Sequence, residues 1–280
     1  MKMEKQVPVA PLEVVRKEPA PRRQKVQSAE TAMSVLKAVG ALGGAATLTA
    51  LAAKLEEHPA KVHRYLGSLV SSGFVFQDPI TYRYVLGLEA IAIGLAAQRQ
   101  SDPMTLASQE IVGLAETLNV SCFVSIMGNL GPVIVRWEEP TQAVLVNVRV
   151  GSVLPLLWSA TGRCFAAFQK SEQIDAQMTR ELAVATEDQR RMLPHRRAVD
   201  ALLASYRAKG CTWVMDTLLK GVSGVVAPVF DAAGQVPAVI VALGVTGTFD
   251  ASPDGPNAVA VRRSAAAVSQ RLGYSVDPAA

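Results

Sequence analysis

Through the first third of the chain, apolar residues recur at helical spacing. Ala32, Val35, Leu36 and Val39 form one stripe, which predicts a helix over residues 28–41 with Ser28 as its N-cap. Gly43 and Gly44 stop it. A short helix is expected over 49–55, capped by Thr49, with Leu51, Ala52 and Leu55 on its buried side. Pro59 suits the first turn of a third helix, where a missing N–H costs nothing. Along that helix Val62, Tyr65, Leu66, Leu69 and Val70 fall on one core-facing stripe. Ala60, Lys61, His63, Arg64, Gly67, Ser68 and Ser71 take the other side. The period then changes. Residues 74–76 and 82–85 are aromatic and β-branched runs separated by a turn at 78–81. Three short helices and a hairpin outline a winged helix-turn-helix.

Residues 86–100 read as a further helix, with Leu88, Ile91, Ala92, Leu95 and Ala96 on one stripe, ended by Asp102-Pro103. Beyond it, helices and strands alternate. Helices are expected at 105–118 and 161–168, two more between 172 and 209, and one at 257–272. Strands are expected at 121–127, 133–137, 144–149, 212–215, 222–230 and 238–245. Gly-containing turns such as 232–235 indicate antiparallel pairing. The fold class is α+β, in four parts. Residues 1–25 are a basic tail, 26–86 the winged helix-turn-helix, 87–102 a connector helix and 103–275 a sensor domain.

Length agrees, since 280 residues make about two domains at roughly 150 residues each. No uninterrupted apolar run reaches membrane-spanning length, and the Lys- and Pro-containing N-terminus lacks the apolar stretch of a secretory signal. The expectation is a cytoplasmic protein with no membrane partner. Cys122, Cys164 and Cys211 are isolated thiols without metal-type spacing, as expected of reduced core cysteines. Charge is unevenly spread: residues 1–25 carry +4, 26–100 carry +1 and 101–280 carry −1. The tail is therefore either a solvated extension or an arm that attracts phosphates.

Enzymatic signatures are missing. There is no Gly-x-Ser-x-Gly elbow, Walker loop or dinucleotide fingerprint, so no catalytic residue, cofactor or metal is assigned. His58 and His63 splay around a helix instead of pairing, and His195 sits among arginines at a helix end. Asp216 follows a strand and is either a pocket residue or a surface loop residue.

The DNA reading rests on the third helix. In a helix-turn-helix the N-terminal half of the second motif helix enters the major groove. Here that half offers Lys61, His63 and Arg64, with Ser68 one turn later. Arginine can bond two acceptors on a guanine edge. Lys37 and Arg83, the latter in the expected wing, could neutralise phosphates. Taken alone, such a face also fits a merely solvated helix, and winged helices can dock proteins.

Several motifs carry a family resemblance. They are Ser28-Ala29-Glu30-Thr31-Ala32, Leu48-Thr49-Ala50-Leu51-Ala52, Val62-His63-Arg64-Tyr65-Leu66 followed by Gly73-Phe74-Val75, and Tyr82-Arg83-Tyr84-Val85-Leu86-Gly87. In the second domain, residues 151–156, 159–163, 221–231 and 243–247 continue the pattern. Together these resemble the isocitrate-lyase-regulator (IclR) family of bacterial transcription factors over residues 26–273. Three positions depart from the family pattern: Lys61 stands where Ser or Thr is usual, Arg163 replaces the usual Lys, and Trp158 is bulkier than expected.

The resemblance implies a GAF-like effector domain, a homodimer or tetramer on a double-stranded DNA operator, and a small-molecule effector of the carboxylate or aromatic-acid kind. A catabolic operon is the expected target. The matching pocket positions are Ala160 and Thr161 at a helix N-terminus, Gly224, and Gly244 with Thr246 on the last strand. Free N–H groups at a helix start favour a carboxylate, and glycines permit close backbone approach. Met127, Leu154, Leu156 and Trp158 are either apolar pocket walls or core. The other reading that stays open is a metabolite-sensing module whose winged helix binds a protein partner.

Overall fold

The computed structural model describes residues 26–100 (backbone only for 98–100), 102–139 and 148–275. The basic tail and residues 144–147 of the expected strand at 144–149 lie outside them. The chain divides into two compact units between Leu95 and Ala96.

The first unit holds α1 (Gln27–Ala41), β1 (Ala45–Ala46), α2 (Leu48–Leu55), α3 (Pro59–Ser71), β2 (Val75–Gln77) and β3 (Tyr84–Leu86), and it includes most of α4 (Leu88–Gln100). The expected apolar stripes build its core, except that Val70 at the end of the α3 stripe is exposed: Val35, Val39, Leu51, Val62, Leu66 and Leu69 are buried together with Val75 and Tyr84. Two caps differ from expectation. Ser28 lies inside α1, whose N-cap is Val26 with no side-chain bond. The hydroxyl that caps α2 is that of Thr47, which accepts from Ala50 N, because the helix starts at Leu48 and not at 49. At α3, Pro59 occupies the first turn and His58 caps it, its Nδ1 accepting from Ala60 N. The wing is a three-stranded antiparallel sheet in the order β1-β3-β2. Two-residue β1, too short to show a period, was not expected.

The second unit holds α5 (Pro103–Leu118), β4 (Ser121–Gly128), β5 (Gly131–Glu138), α6 (Ala160–Phe168), α7 (Glu172–Ala183), α8 (Glu187–Met192), α9 (Arg196–Lys209), β6 (Thr212–Met215), β7 (Val222–Val229), β8 (Ala238–Val245) and α10 (Pro256–Arg271). Three helices, not two, fill residues 172–209, because Thr186 and Gln189 form a capping box that starts the short α8. The strands make one antiparallel sheet in the order β5-β4-β8-β7-β6. α5 and α10 bury one face with Ile111, Val124, Ile240 and Val261. α6, α7 and α9 bury the other with Phe165, Met178, Leu203, Phe123 and Val241.

The β4–β5 register skips Val135: Val124 pairs with Arg136, but Ser125 pairs with Ile134. This bulge puts Ile134 and Trp137, three apart in sequence, on the same face. Trp137 thereby stacks on Phe123, with ring centroids 5.2 Å apart.

Candidate nucleic-acid interface and effector pocket

On α3 the structure places His63, Arg64, Gly67, Ser68 and Ser71 on the exposed side, as the stripe requires. They do not behave alike. His63 Nδ1 lies 3.2 Å from the hydroxyl of Tyr84, so this ring ties α3 to the wing strand β3. The Arg64 guanidinium rests over the Tyr65 ring at 5.6 Å, which orients it without removing its donors. Lys61 sits at the edge of the face, half-buried and paired with Glu57 Oε1 at 2.5 Å. Lys37 and Arg83 are exposed. The wing turn is held by Asp78, whose Oδ1 accepts from Ile80 N and Thr81 N at 2.8 Å each. Those bonds hold the Asp78 carboxyl below its ordinary value of 3.8.

In the second unit a small cavity of about 70 Å³ opens at the N-terminus of α6. The structure brings Leu154, Ala160, Thr161 and Gly224 of the expected residues to its wall. Ser159 caps α6, accepting from Gly162 N at 2.9 Å. Ala160 N and Thr161 N have no acceptor among the described residues. The Thr161 side chain is only 2 % exposed, lines the cavity, and its hydroxyl has no hydrogen-bond partner among the described residues.

The loop under this helix end is clamped. Glu181 accepts from Leu156 N at 2.7 Å and from Leu157 N at 2.8 Å. Arg163, buried at 6 % exposure, donates from Nε to Leu157 O at 2.6 Å and from Nη1 to the Tyr206 hydroxyl at 3.3 Å. A Cβ on Gly162 would collide with the Leu156 backbone, so only glycine lets α6 pack this close. Arg163, the family-pattern departure, is thus a buried structural cation here.

The other expected residues lie elsewhere. Met127 and Trp158 pack in or against the core cluster beside the cavity without lining it. Leu156 is fully buried in the same cluster. Gly244 sits under Phe249, whose ring would meet a Cβ there at 2.8 Å, on the sheet face that packs α5 and α10. Asp216, half-buried with φ 51°, organises the loop before β7. Its Oδ1 accepts from Gly221 N at 2.7 Å and from the Thr246 hydroxyl at 3.0 Å, and Thr246 meets Ser223 at 2.8 Å. That loop presents Leu218 and Leu219 to the cavity.

Sequence reading missed these two leucines together with Phe123, Val214, Val241 and Leu243. Strand parity with Gly224 could have found Val214 and Leu243, which share its cross-strand row. An adjacent Leu pair in the loop between Asp216 and Lys220 was the signal for this part of the wall.

The three cysteines are buried free thiols. Burial pushes Cys122 up to about 12 and raises Cys164 and Cys211. His195 caps α9, with Nδ1 accepting from Ala198 N. Among the described residues no group of metal-ligating side chains occurs, and no helix is long and apolar enough to cross a membrane.

Comparison with known proteins follows the same two units. Residues 28–79 match the IclR helix-turn-helix domain, and residues 98–270 match the bacterial transcriptional regulator IclR C-terminal domain. The glycerol operon regulatory protein of Streptomyces griseus is 28% identical over 89% of this chain and 97% of its own length. The DNA-binding transcriptional repressor YiaJ of Escherichia coli is 28% identical over 77% of each. Among solved structures, Pseudomonas aeruginosa HmgR is 39% identical with a TM-score of 0.77, over 90% of this chain and 100% of that one. The Streptomyces and Escherichia relatives are named as regulators, not enzymes, and the matched helix-turn-helix does not favour the reading of a protein-docking winged helix.

Proposed function

Because the chain belongs to the IclR family of bacterial transcriptional regulators, we propose that it is an effector-controlled regulator of a catabolic operon, acting in the cytoplasm as a dimer or a dimer of dimers. Arg64 and Ser68 meet base edges, while Lys37, Arg83 and the edge residue Lys61 meet phosphates. His63 sets the angle between α3 and the wing. Two relatives are named as regulators of a glycerol operon, which supports a catabolic target. The exposed apolar residues Leu88, Ile91, Ile93 and Leu95 of α4 support pairing through that helix.

The observation that carries the effector reading is the hydroxyl of Thr161, unpartnered among the described residues, beside two N–H groups equally without an acceptor there, in a mostly apolar cavity. A helix start with three donors suits a carboxylate. Leu154, Leu243 and the Leu218–Leu219 lid suit an aliphatic or aromatic body. The cavity of about 70 Å³ is well below the roughly 300 Å³ at which ligand pockets begin, so the lid swings out when the effector enters. The effector controls DNA only through its different affinity for the DNA-competent and DNA-incompetent states.

The test starts with an operator, selected by the protein itself from random duplexes. Anisotropy against that operator is then measured over a salt series and with a panel of small carboxylic acids. If each head of a dimer touches three or four phosphates, the log–log salt slope is about −5 to −7. A slope near zero ends the DNA reading. A panel in which no acid shifts the operator affinity or the thermal transition ends the carboxylate reading.

A further inference from the structure

Gly67 is an expense the chain does not recover internally. It is the ninth of thirteen residues in α3, with ordinary helical backbone, so no turn or positive φ requires glycine. It is exposed, and nothing in the chain lies within 4 Å of where a Cβ would stand, so no packing requires it either. Glycine in an exposed helix interior is destabilising relative to alanine. Its neighbours one turn away are Arg64 and His63 towards the N-terminus and Val70 and Ser71 towards the C-terminus, with Ser68 beside it. All are exposed. The centre of the polar face is therefore a notch of bare helix backbone bordered by the hydrogen-bonding side chains of His63, Arg64, Ser68 and Ser71 and, at one corner, by the exposed Val70.

We propose that Gly67 is a specificity-determining residue that lets α3 seat its backbone directly against the base edges in the major groove. This rests on the DNA reading above. Docking without a side chain at 67 brings Arg64 and Ser68 within reach of the bases; a methyl there holds the helix off by its own thickness. Hydrogen bonds to base edges fail over such a displacement, since they weaken steeply outside their narrow distance range. Phosphate attraction does not fail, because it falls off slowly with distance. The notch therefore acts on sequence discrimination and leaves non-specific affinity alone.

Gly67→Ala and Gly67→Ser, made in the full chain, separate the two properties. The probes are the duplex selected by the wild-type protein and a scrambled duplex of equal length. In Gly67→Ala the thermal transition of the first unit rises by roughly 2–6 °C, because the helix gains a better former. Operator affinity falls at least tenfold in both variants, while affinity for the scrambled duplex stays within twofold. Operator affinity within twofold of wild type overturns the proposal. So does an equal loss on both duplexes, which would make the change electrostatic or structural. If the wild-type protein enriches no sequence, the DNA reading itself fails, and this inference with it.

Discussion

The recognition face of the first unit and the effector pocket of the second are built in opposite ways. The face of α3 is open, polar and finished: His63, Arg64 and Ser68 are exposed on a helix fixed from behind by Val62, Leu66 and Leu69. The pocket is small, mostly apolar and unfinished, with about 70 Å³ of space and, among the described residues, three donors at the start of α6 that no acceptor meets. A duplex is large and rigid, so a preformed convex surface can meet it without rearrangement. A small anion in water must be stripped of its hydration shell, which needs enclosure, and enclosure needs something that opens. On the function proposed above, the part that has to move is the loop that Asp216 fastens to Thr246 and Gly221.

One substitution type separates the regions most sharply. Arg163→Ala removes a buried guanidinium, leaves Leu157 O and the Tyr206 hydroxyl without their donor, and opens a cavity. We expect a loss of roughly 3–4 kcal/mol in the stability of the second unit by denaturant titration. An effect under about 1 kcal/mol would mean that the clamp is dispensable. Arg64→Ala on the exposed face should change stability by less than about 0.5 kcal/mol and yet weaken operator binding by about 1–3 kcal/mol. A loss equal on all sequences would reassign Arg64 to phosphate.

Thr161→Val tests the pocket alone. The side chain keeps its shape and loses a hydroxyl that has no partner among the described residues, so the fold should be as stable or slightly more so. Affinity for the acid that shifts operator binding should fall about five- to tenfold, roughly 1 kcal/mol. Unchanged affinity would remove Thr161 from the site.

The smallest effect belongs to the wing. The Asp78 carboxyl is held below 3.8 by the N–H groups of Thr81 and Ile80. A depressed folded value contributes stability that is complete above the unfolded value. It is lost as the pH falls through the lowered one. The amide signals of Ile80 and Thr81 should therefore stay put from neutral pH to about pH 5. They should shift only below pH 4, and a transition centred near pH 6 would contradict the Asp78 turn.

Apart from two-residue β1 and the short α8, the helices and strands described in both units were legible because their apolar stripes repeat over enough residues to fix a period. Caps were less so: Ser28 and Thr49 have the right chemistry, but Val26 and Thr47 hold the positions where the chain enters the helices. The pocket was half legible. Ala160, Thr161 and Gly224 come from motifs, whereas Phe123 and Leu243 reach the wall through strand pairing between distant segments. Gly244 shows the limit of motif reasoning, since its flank faces Phe249 across the sheet from the cavity. Trp137 shows another limit. Simple alternation from Ile134 puts it on the wrong face, and only the skipped Val135 brings it to Phe123.

The same skipped residue bears on how the protein behaves when crowded. β5 is an outer strand of a sheet whose central strands are almost wholly apolar, the kind of border to which a neighbouring molecule's strand can attach. Its outer side is already occupied at one end, where Ile134 and Pro132 exchange backbone bonds with Gly151, Ser152 and Leu154. Immediately beyond, the irregularity at Val135 breaks the even spacing that strand addition requires. The opposite border, β6, is only four residues long. Among the described residues, both margins of this greasy sheet thus offer a neighbouring strand only a short or irregular run of backbone.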